Sequence, residues 1–347
     1  MNSVAPLRVL FLGGTGIISA GAVREAVAQG MEVYVLNRGI NQRQRDLPDA
    51  VKWLTGDVGQ PASVATAIEG LTFDTVINFL SFTAEHAQQA VELFTGVTKQ
   101  YIYISSASVY HKPVALVPVV ESNLKKNEFL QYARDKIAGE TVLMTAHLEQ
   151  GFPVTIVRPS HTYDDANPPL AGSWVVFDRM EQGKEILVHG DGTSLWTVTH
   201  SSDFAVGLVG LFGNPLAIGE DFHITSDDVY SWDQIFRLIG AALGVEPKLV
   251  HVPSELIHAA APEWGWSELF LGDLAHSAIF DNSKIRRFVP AFNPKKTFVR
   301  TVRDLAAWRE AHRDAAVGEP DADAIMDRVV TGYHEARKIF EGLAPQG

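Results

Sequence analysis

The chain has 347 residues, 46% of them hydrophobic and 20% charged, enough apolar material for one large domain or two with substantial cores. It contains no cysteine, which excludes disulfides, thiolate metal sites and cysteine nucleophiles. Its formal net charge of −12 argues against nonspecific nucleic-acid binding, which needs a basic footprint.

The first apolar run, Leu7 to Leu12, reads as a buried strand. Next comes Gly13-Gly14-Thr15-Gly16-Ile17-Ile18-Ser19, then a segment, Ala20 to Gln29, whose apolar positions Ala22, Val23, Ala26 and Val27 recur at helical spacing. Further strands are predicted at Glu32 to Leu36, Val51 to Leu54, Asp74 to Phe79, Gln100 to Ile104 and Val154 to Val157. Helical patterns fall between several of them, at about 61–70, 84–95 and 129–150. Such alternation predicts a parallel sheet with helices on both faces. Beyond Pro159 the pattern loosens, punctuated by Pro168-Pro169, Gly190-Asp191-Gly192 and Gly213-Asn214-Pro215. Two helices are predicted to close the chain, at about 297–313 and 321–342. The second is amphipathic through Ile325, Val329, Val330, Tyr333, Ile339 and Phe340 and should dock on the body.

No apolar run reaches membrane-spanning length; Phe204 to Gly219 comes nearest and contains Asn214 and Pro215. The apolar start is too short for a signal peptide, so the cytoplasm is the expected location and no membrane partner is expected. The twelve histidines form no paired motif with metal-ligand spacing. Glu255 and His258 share a helix face, but an isolated pair does not make a metal site, and none is expected.

A strand, a glycine turn and a helix form the start of a dinucleotide-binding unit. The glycines let backbone amides at the helix N-terminus approach a pyrophosphate, whose charge suits the helix dipole. Ser19 stands where a third glycine is usual and is small enough for helix to pack on sheet. The fold class is therefore α/β, a Rossmann-type doubly wound parallel sheet with a smaller C-terminal substrate-capping domain. Residues 1–160, rejoined by about 198–225, would form the nucleotide domain; about 161–197 and 226–347 would form the substrate side and the C-terminal helices.

The fifth strand runs into Ser105-Ser106-Ala107-Ser108-Val109-Tyr110, and Tyr132-Ala133-Arg134-Asp135-Lys136 follows on a predicted helix. Tyrosine and lysine four apart share one helix face. In this order, the glycine turn, the strand-end serine and the Tyr/Lys pair make the chain resemble the extended short-chain dehydrogenase/reductase family, also called the epimerase/dehydratase family, over about residues 7–290. The resemblance implies that Tyr132 is the general acid/base, that Lys136 lowers its pKa and bonds the nicotinamide ribose, and that Ser106 bonds the reacting oxygen, with Ser105 the competing choice. It further implies cofactor contacts from Gly13, Thr15, Gly16, Ile17 and Ile18, from Asp57 and Val58, from Phe79, Leu80 and Ser81, and from Ser105, Pro159 and His161. Asn37 occupies the place where selection of NAD puts an acid, and Arg38 follows, suited to a ribose 2′-phosphate, with Arg43 and Arg45 in reserve. NADP is thus the favoured cofactor, with NAD the alternative.

In family members that take nucleotide-diphosphate sugars, two arginines commonly stand where this chain has Trp196 and Leu271. Their loss removes a diphosphate clamp unless Arg179, Arg286 or Arg287 compensates. The resemblance therefore implies a small sugar-like or polyol substrate contacted by Ser106, Ser108, Ser160, His161, Trp196 and His200. Sugar 4,6-dehydratases carry adjacent acids where this chain has Ala107-Ser108, which demotes that reaction. Net dehydrogenation or reduction and epimerisation both remain open, as does the nucleotide-sugar epimerase alternative. The Gly-Gly-Thr-Gly and Asn-Arg-Gly pattern also resembles chloroplast stem-loop RNA-binding proteins of this fold, but the acidic balance and the intact Ser/Tyr/Lys set oppose RNA binding. A non-catalytic cofactor sensor would typically lack the tyrosine. A homodimer is compatible with this family.

Overall fold

The structure, a computed structural model, describes residues 5–39 and 47–344. Its strands are β1 (Arg8–Leu12), β2 (Glu32–Asn37), β3 (Lys52–Thr55), β4 (Thr75–Asn78), β5 (Tyr101–Ile104), β6 (Val154–Pro159), β7 (His161–Tyr163), β8 (Glu185–His189), β9 (Leu195–Trp196), β10 (Val198–His200), β11 (Asp221–Ile224), β12 (Tyr230–Ser231) and β13 (Lys248–Val252). Its helices are α1 (Ile17–Ala28), α2 (Pro61–Ala67), α3 (Ala84–Phe94), α4 (Gln131–Gln150), α5 (Val175–Glu181), α6 (Ser201–Val209), α7 (Trp232–Leu243), α8 (Ser254–Ala260), α9 (Gly265–Leu269), α10 (Ser283–Phe288), α11 (Phe298–Ala311) and α12 (Ala322–Glu341).

Seven strands form one parallel sheet in the order β11-β6-β5-β4-β1-β2-β3. The order reverses at β1, which pairs with β2 on one side and β4 on the other. That reversal opens a crevice at the carboxyl ends of the strands. Alternate side chains of one strand serve different faces. Val9 and Phe11 of β1 join Val23 of α1 and Phe204 and Leu208 of α6 in one core layer. Leu10 and Leu12 join Val64 of α2, Val91 of α3 and Leu143 of α4 in the other. Burial on both faces is why these strands read as unbroken apolar runs.

A third core, around Phe177, Val188, Trp232, Ile235, Phe298, Leu305 and Met326, lies in the later half of the chain. It unites α5, α7, α11 and α12 with the parallel pair β8 and β13. The short strands β7, β9, β10 and β12, of two or three residues each, are too short to carry a periodic pattern. Helix α12 docks through Ile325, Val329 and Val330, but Ile339 and Phe340 near its end are 69% and 73% exposed, so the predicted apolar face is only partly covered. Among the described residues, no helix is long and apolar enough to cross a membrane.

Candidate active site

The glycine turn joins β1 to α1 at the reversal point. Gly13 has φ of +85°, and a Cβ there would lie 2.7 Å from Leu80 Cγ, so both backbone sign and space demand glycine. Gly16 is the N-cap of α1, and its amide donates to Ser19 Oγ at 2.7 Å. Ser19 is therefore more than a small substitute for glycine: its hydroxyl fixes the turn. The following amides of Ile17 and Ile18 begin the helix with no acid in its first turn, leaving the positive helix end open to an anion.

Outward from this turn runs a cleft of about 720 Å³. It is lined by Gly13, Thr15, Gly16 and Ile18 from the turn, by Asn37 and Arg38 after β2, and by Asp57 and Val58 after β3. Phe79 and Leu80 after β4, Ser105 and Ser106 after β5, Tyr132 and Lys136 on α4, and Pro159 and Ser160 after β6 complete its far wall. Residues from seven separate segments thus converge at the carboxyl edge of one sheet. Asn37 Oδ1 accepts from the Gly39 amide at 2.9 Å, so the asparagine spends its acceptor on the turn that presents the exposed Arg38. Arg43 and Arg45 lie outside the described residues.

Tyr132 and Lys136 sit one turn apart on α4. Lys136 is 1% exposed, and its ammonium donates to the carbonyls of Ser81 at 2.7 Å and Ile104 at 2.8 Å. Its Nζ lies 5.7 Å from the Tyr132 ring centroid. Burial, opposed by the charge of Glu140, pulls the lysine down to about 7. Tyr132 is 39% exposed and lines the cleft. Burial pushes the phenol up from its ordinary value, and the Ser106 hydroxyl pulls against that rise. Ser106 Oγ also lies 2.8 Å from Ser108 Oγ.

One further turn along α4, Glu140 completes a face with Tyr132 and Lys136. Arg158 grips it with Nε on Oε1 and Nη2 on Oε2, both at 2.8 Å. Ser105 donates to Oε1 at 2.6 Å. Ser105, the competing candidate, is thereby committed to this buried pair, whereas Ser106 shares the cleft wall with Tyr132.

Six residues expected at the site do not line the cleft. The extended backbone after β6 alternates, so Ser160 and Thr162 face the cleft and His161 faces away, its ring against Trp232 and Trp266. Trp196 is 1% exposed and donates Nε1 to the carbonyls of Leu274 and His276, which makes it a core residue. His200 caps α6, bonds Asp165 at 3.1 Å and lines a separate groove. Ser81 is buried and offers its carbonyl to Lys136. Ser108 is buried behind Ser106. The side chain of Ile17 is likewise outside the lining, though its amide belongs to the turn. Phe82 and Thr162 were missed; Phe82 lies one residue past the Asn78 to Ser81 segment, and its ring centroid is 4.6 Å from Lys136 Nζ.

The three arginines that could compensate for a diphosphate clamp lie away from the cleft. Arg179 is buried against Asp323 and Asp327, at 2.5 and 2.7 Å. Arg286 pairs with Asp227, and Arg287 borders a different pocket beside Lys284 and Asp281. None lines the cleft. Among the described residues, no group of three His, Asp or Glu side chains could hold a metal ion.

A doubly wound sheet with a glycine turn at its reversal point and a Ser/Tyr/Lys set beside it defines a class, the nicotinamide-dependent oxidoreductases and epimerases of the extended short-chain dehydrogenase/reductase type. The chain belongs to the NAD dependent epimerase/dehydratase family, whose profile matches residues 9–224. It is 25% identical over 323 residues to a 2'-dehydrokanamycin reductase of Streptomyces kanamyceticus, covering 92% of this chain and 88% of that one. It is 26% identical to a chloroplast stem-loop binding protein of Arabidopsis thaliana, over 70% of this chain and 65% of that one. Among solved structures, an epimerase of Methanothermobacter thermautotrophicus matches with a TM-score of 0.73 at 16% identity, covering 90% and 94% of the two chains. A UDP-glucuronic acid 4-epimerase of Bacillus cereus in complex with NAD matches with a TM-score of 0.71 at 16% identity, covering 89% and 98%.

Proposed function

We propose that this enzyme uses NADP(H) to interconvert a secondary alcohol and a ketone on a sugar-like or polyol substrate that carries no nucleotide diphosphate. The observation that carries this reading is the single cleft in which Arg38, the glycine turn, Lys136, Ser106 and Tyr132 share one continuous wall. The amides of Ile17 and Ile18 would receive the pyrophosphate, and Arg38 the 2′-phosphate. In its protonated form Lys136 has one proton beyond the two spent on carbonyls, free for a ribose hydroxyl. A nicotinamide bound there would take up or release hydride.

Tyr132 would give or take the proton at the reacting oxygen, with Ser106 bonded to the same oxygen. A positive charge nearby favours phenolate, so Lys136 in its protonated form would counter the effect of burial on Tyr132. The substrate reading rests on the arginines: Trp196 and Leu271 supply no charge, and Arg179, Arg286 and Arg287 are placed elsewhere. Similarity to a 2'-dehydrokanamycin reductase favours net reduction of a keto group on a glycoside.

Purified protein with NADPH should oxidise the cofactor when given keto derivatives of free sugars, polyols or aminoglycosides, read by loss of NADPH absorbance. Inertness toward all of these, with isomerisation of a UDP- or dTDP-sugar at constant cofactor, would instead establish the nucleotide-sugar epimerase alternative.

A further inference from the structure

Asn127 is 3% exposed and lies between three parts of the chain. Its Oδ1 accepts from the amides of Phe129 at 3.1 Å and Leu130 at 3.0 Å. Leu130 is the N-cap of α4 and has no capping side chain of its own, so Asn127 caps the helix that begins one residue before Tyr132. Its Nδ2 donates to the carbonyls of Ser108 at 3.1 Å and Gly272 at 2.9 Å. Ser108 belongs to the 3-10 turn over Ala107–Val109, whose hydroxyl holds Ser106. Gly272 belongs to a π-helical turn over Phe270–Leu274, at the border of the third core. An amide has two acceptor and two donor positions, and all four are used here. Only one orientation of the side chain satisfies them.

The π turn approaches so closely that a Cβ on Gly272 would lie 2.7 Å from Phe129 Cβ. A second tie runs in parallel: Lys112, just past the 3-10 turn, pairs with Asp273 at 2.8 Å, with side chains 1% and 8% exposed. Asp273 is close enough for its charge to act on Tyr132. The serine turn, the start of α4 and the π turn are thus joined at one buried side chain.

We propose that Asn127 is a positioning residue that sets the Ser106–Tyr132 geometry and ties it to the π turn of the substrate side. This rests on the roles proposed above for Ser106 and Tyr132. A hydroxyl at this position can still cap α4 but is too short to reach either carbonyl, so Asn127→Ser separates capping from bridging. Gly272→Ala disturbs the same junction from the opposite side without touching Asn127.

The test uses the full chain with tyrosine isotope-labelled at Cζ. The Tyr132 resonance is assigned by its loss in Tyr132→Phe, and Ser106→Ala defines the direction of shift when the serine hydroxyl is gone. Asn127→Ser and Gly272→Ala should each move the resonance in that direction, and Asn127→Ser combined with Ser106→Ala should add little to either alone. Turnover on whichever ketone the NADPH assay identifies should fall about 10- to 100-fold in Asn127→Ser, the scale of a modest misplacement of reacting groups, with NADPH affinity within about twofold of wild type. A lowered melting temperature with an unmoved Tyr132 resonance would reduce Asn127 to a helix cap and overturn the proposal, as would full turnover. If Tyr132→Phe keeps its activity while Asn127→Ser still shifts the resonance, the enzymatic roles fail and the coupling stands.

Discussion

Arg38, Lys136 and Tyr132 illustrate how differently single residues carry the proposed chemistry. Arg38 is exposed at the cleft, and a charge-assisted hydrogen bond contributes about 1.5–3 kcal/mol. Arg38→Ala should weaken NADP by roughly 10- to 150-fold and NAD little, measured by titration calorimetry. Equal losses for both cofactors would make it a turn residue only. Tyr132→Phe retains the ring and removes the transferable proton. Its turnover should drop by about 10²–10⁴-fold with cofactor affinity preserved, checked by the NADPH assay and calorimetry in parallel.

Lys136 gives a pH prediction whose sign follows from burial. Burial brings it to about 7 in the folded protein, from 10.5 for the free side chain. Between those values the unfolded chain holds a proton that the folded chain has released, so this residue makes stability rise with pH. Below about 7 the whole penalty of burying the charge is present. Removing the group by Lys136→Met should lower the slope of unfolding free energy by roughly 1.4 kcal/mol per pH unit around pH 8 to 9. Denaturant titrations of both proteins across that range provide the check, and parallel slopes would show that the buried lysine stays charged.

At the scale of elements, α4 is the organising unit. One face carries Tyr132, Lys136 and Glu140, while Leu143 anchors it in the core between sheet and helices. The buried Glu140–Arg158 pair locks this face to β6, with Arg158 reaching also to Asp221 at 2.7 Å and to the Tyr110 hydroxyl at 3.0 Å. Each charge was taken from water, so the pair is no large net source of stability, but breaking it strands a charge. Glu140→Gln should cost about 3–5 kcal/mol, visible in urea unfolding. A loss below about 1 kcal/mol, the size of a surface pair, would mean that water or Asp221 compensates Arg158.

Across the whole molecule, the net charge of −12 and similarity to a chloroplast stem-loop binding protein point in opposite directions. Counterion release rewards basic surfaces, and this chain has an excess of acids. No salt-sensitive gel shift is expected with stem-loop RNA at submicromolar protein. A shift that weakens steeply with added salt would show a local basic surface hidden by the overall balance.

Much of this architecture was legible in the amino-acid order because its determinants are local. Apolar runs, helical spacing and the glycine turn define β1, α1 and the alternation that forces a parallel sheet, and Tyr132 and Lys136 reach one face through helical geometry alone. What the order of residues could not decide depends on distant neighbours. Whether His161 or Thr162 enters the cleft follows from the pleat of a short strand set by its partner β10. Ser105 is separated from Ser106 by Glu140, 35 residues away. Trp196 is claimed by the carbonyls of Leu274 and His276, and Asn127 gains its meaning from Gly272, 145 residues further on. Secondary structure and motif are written by short-range sterics and periodicity. The roles of buried polar side chains are decided by which hydrogen-bond partners the completed fold delivers, because a polar group removed from water must be satisfied where it ends up.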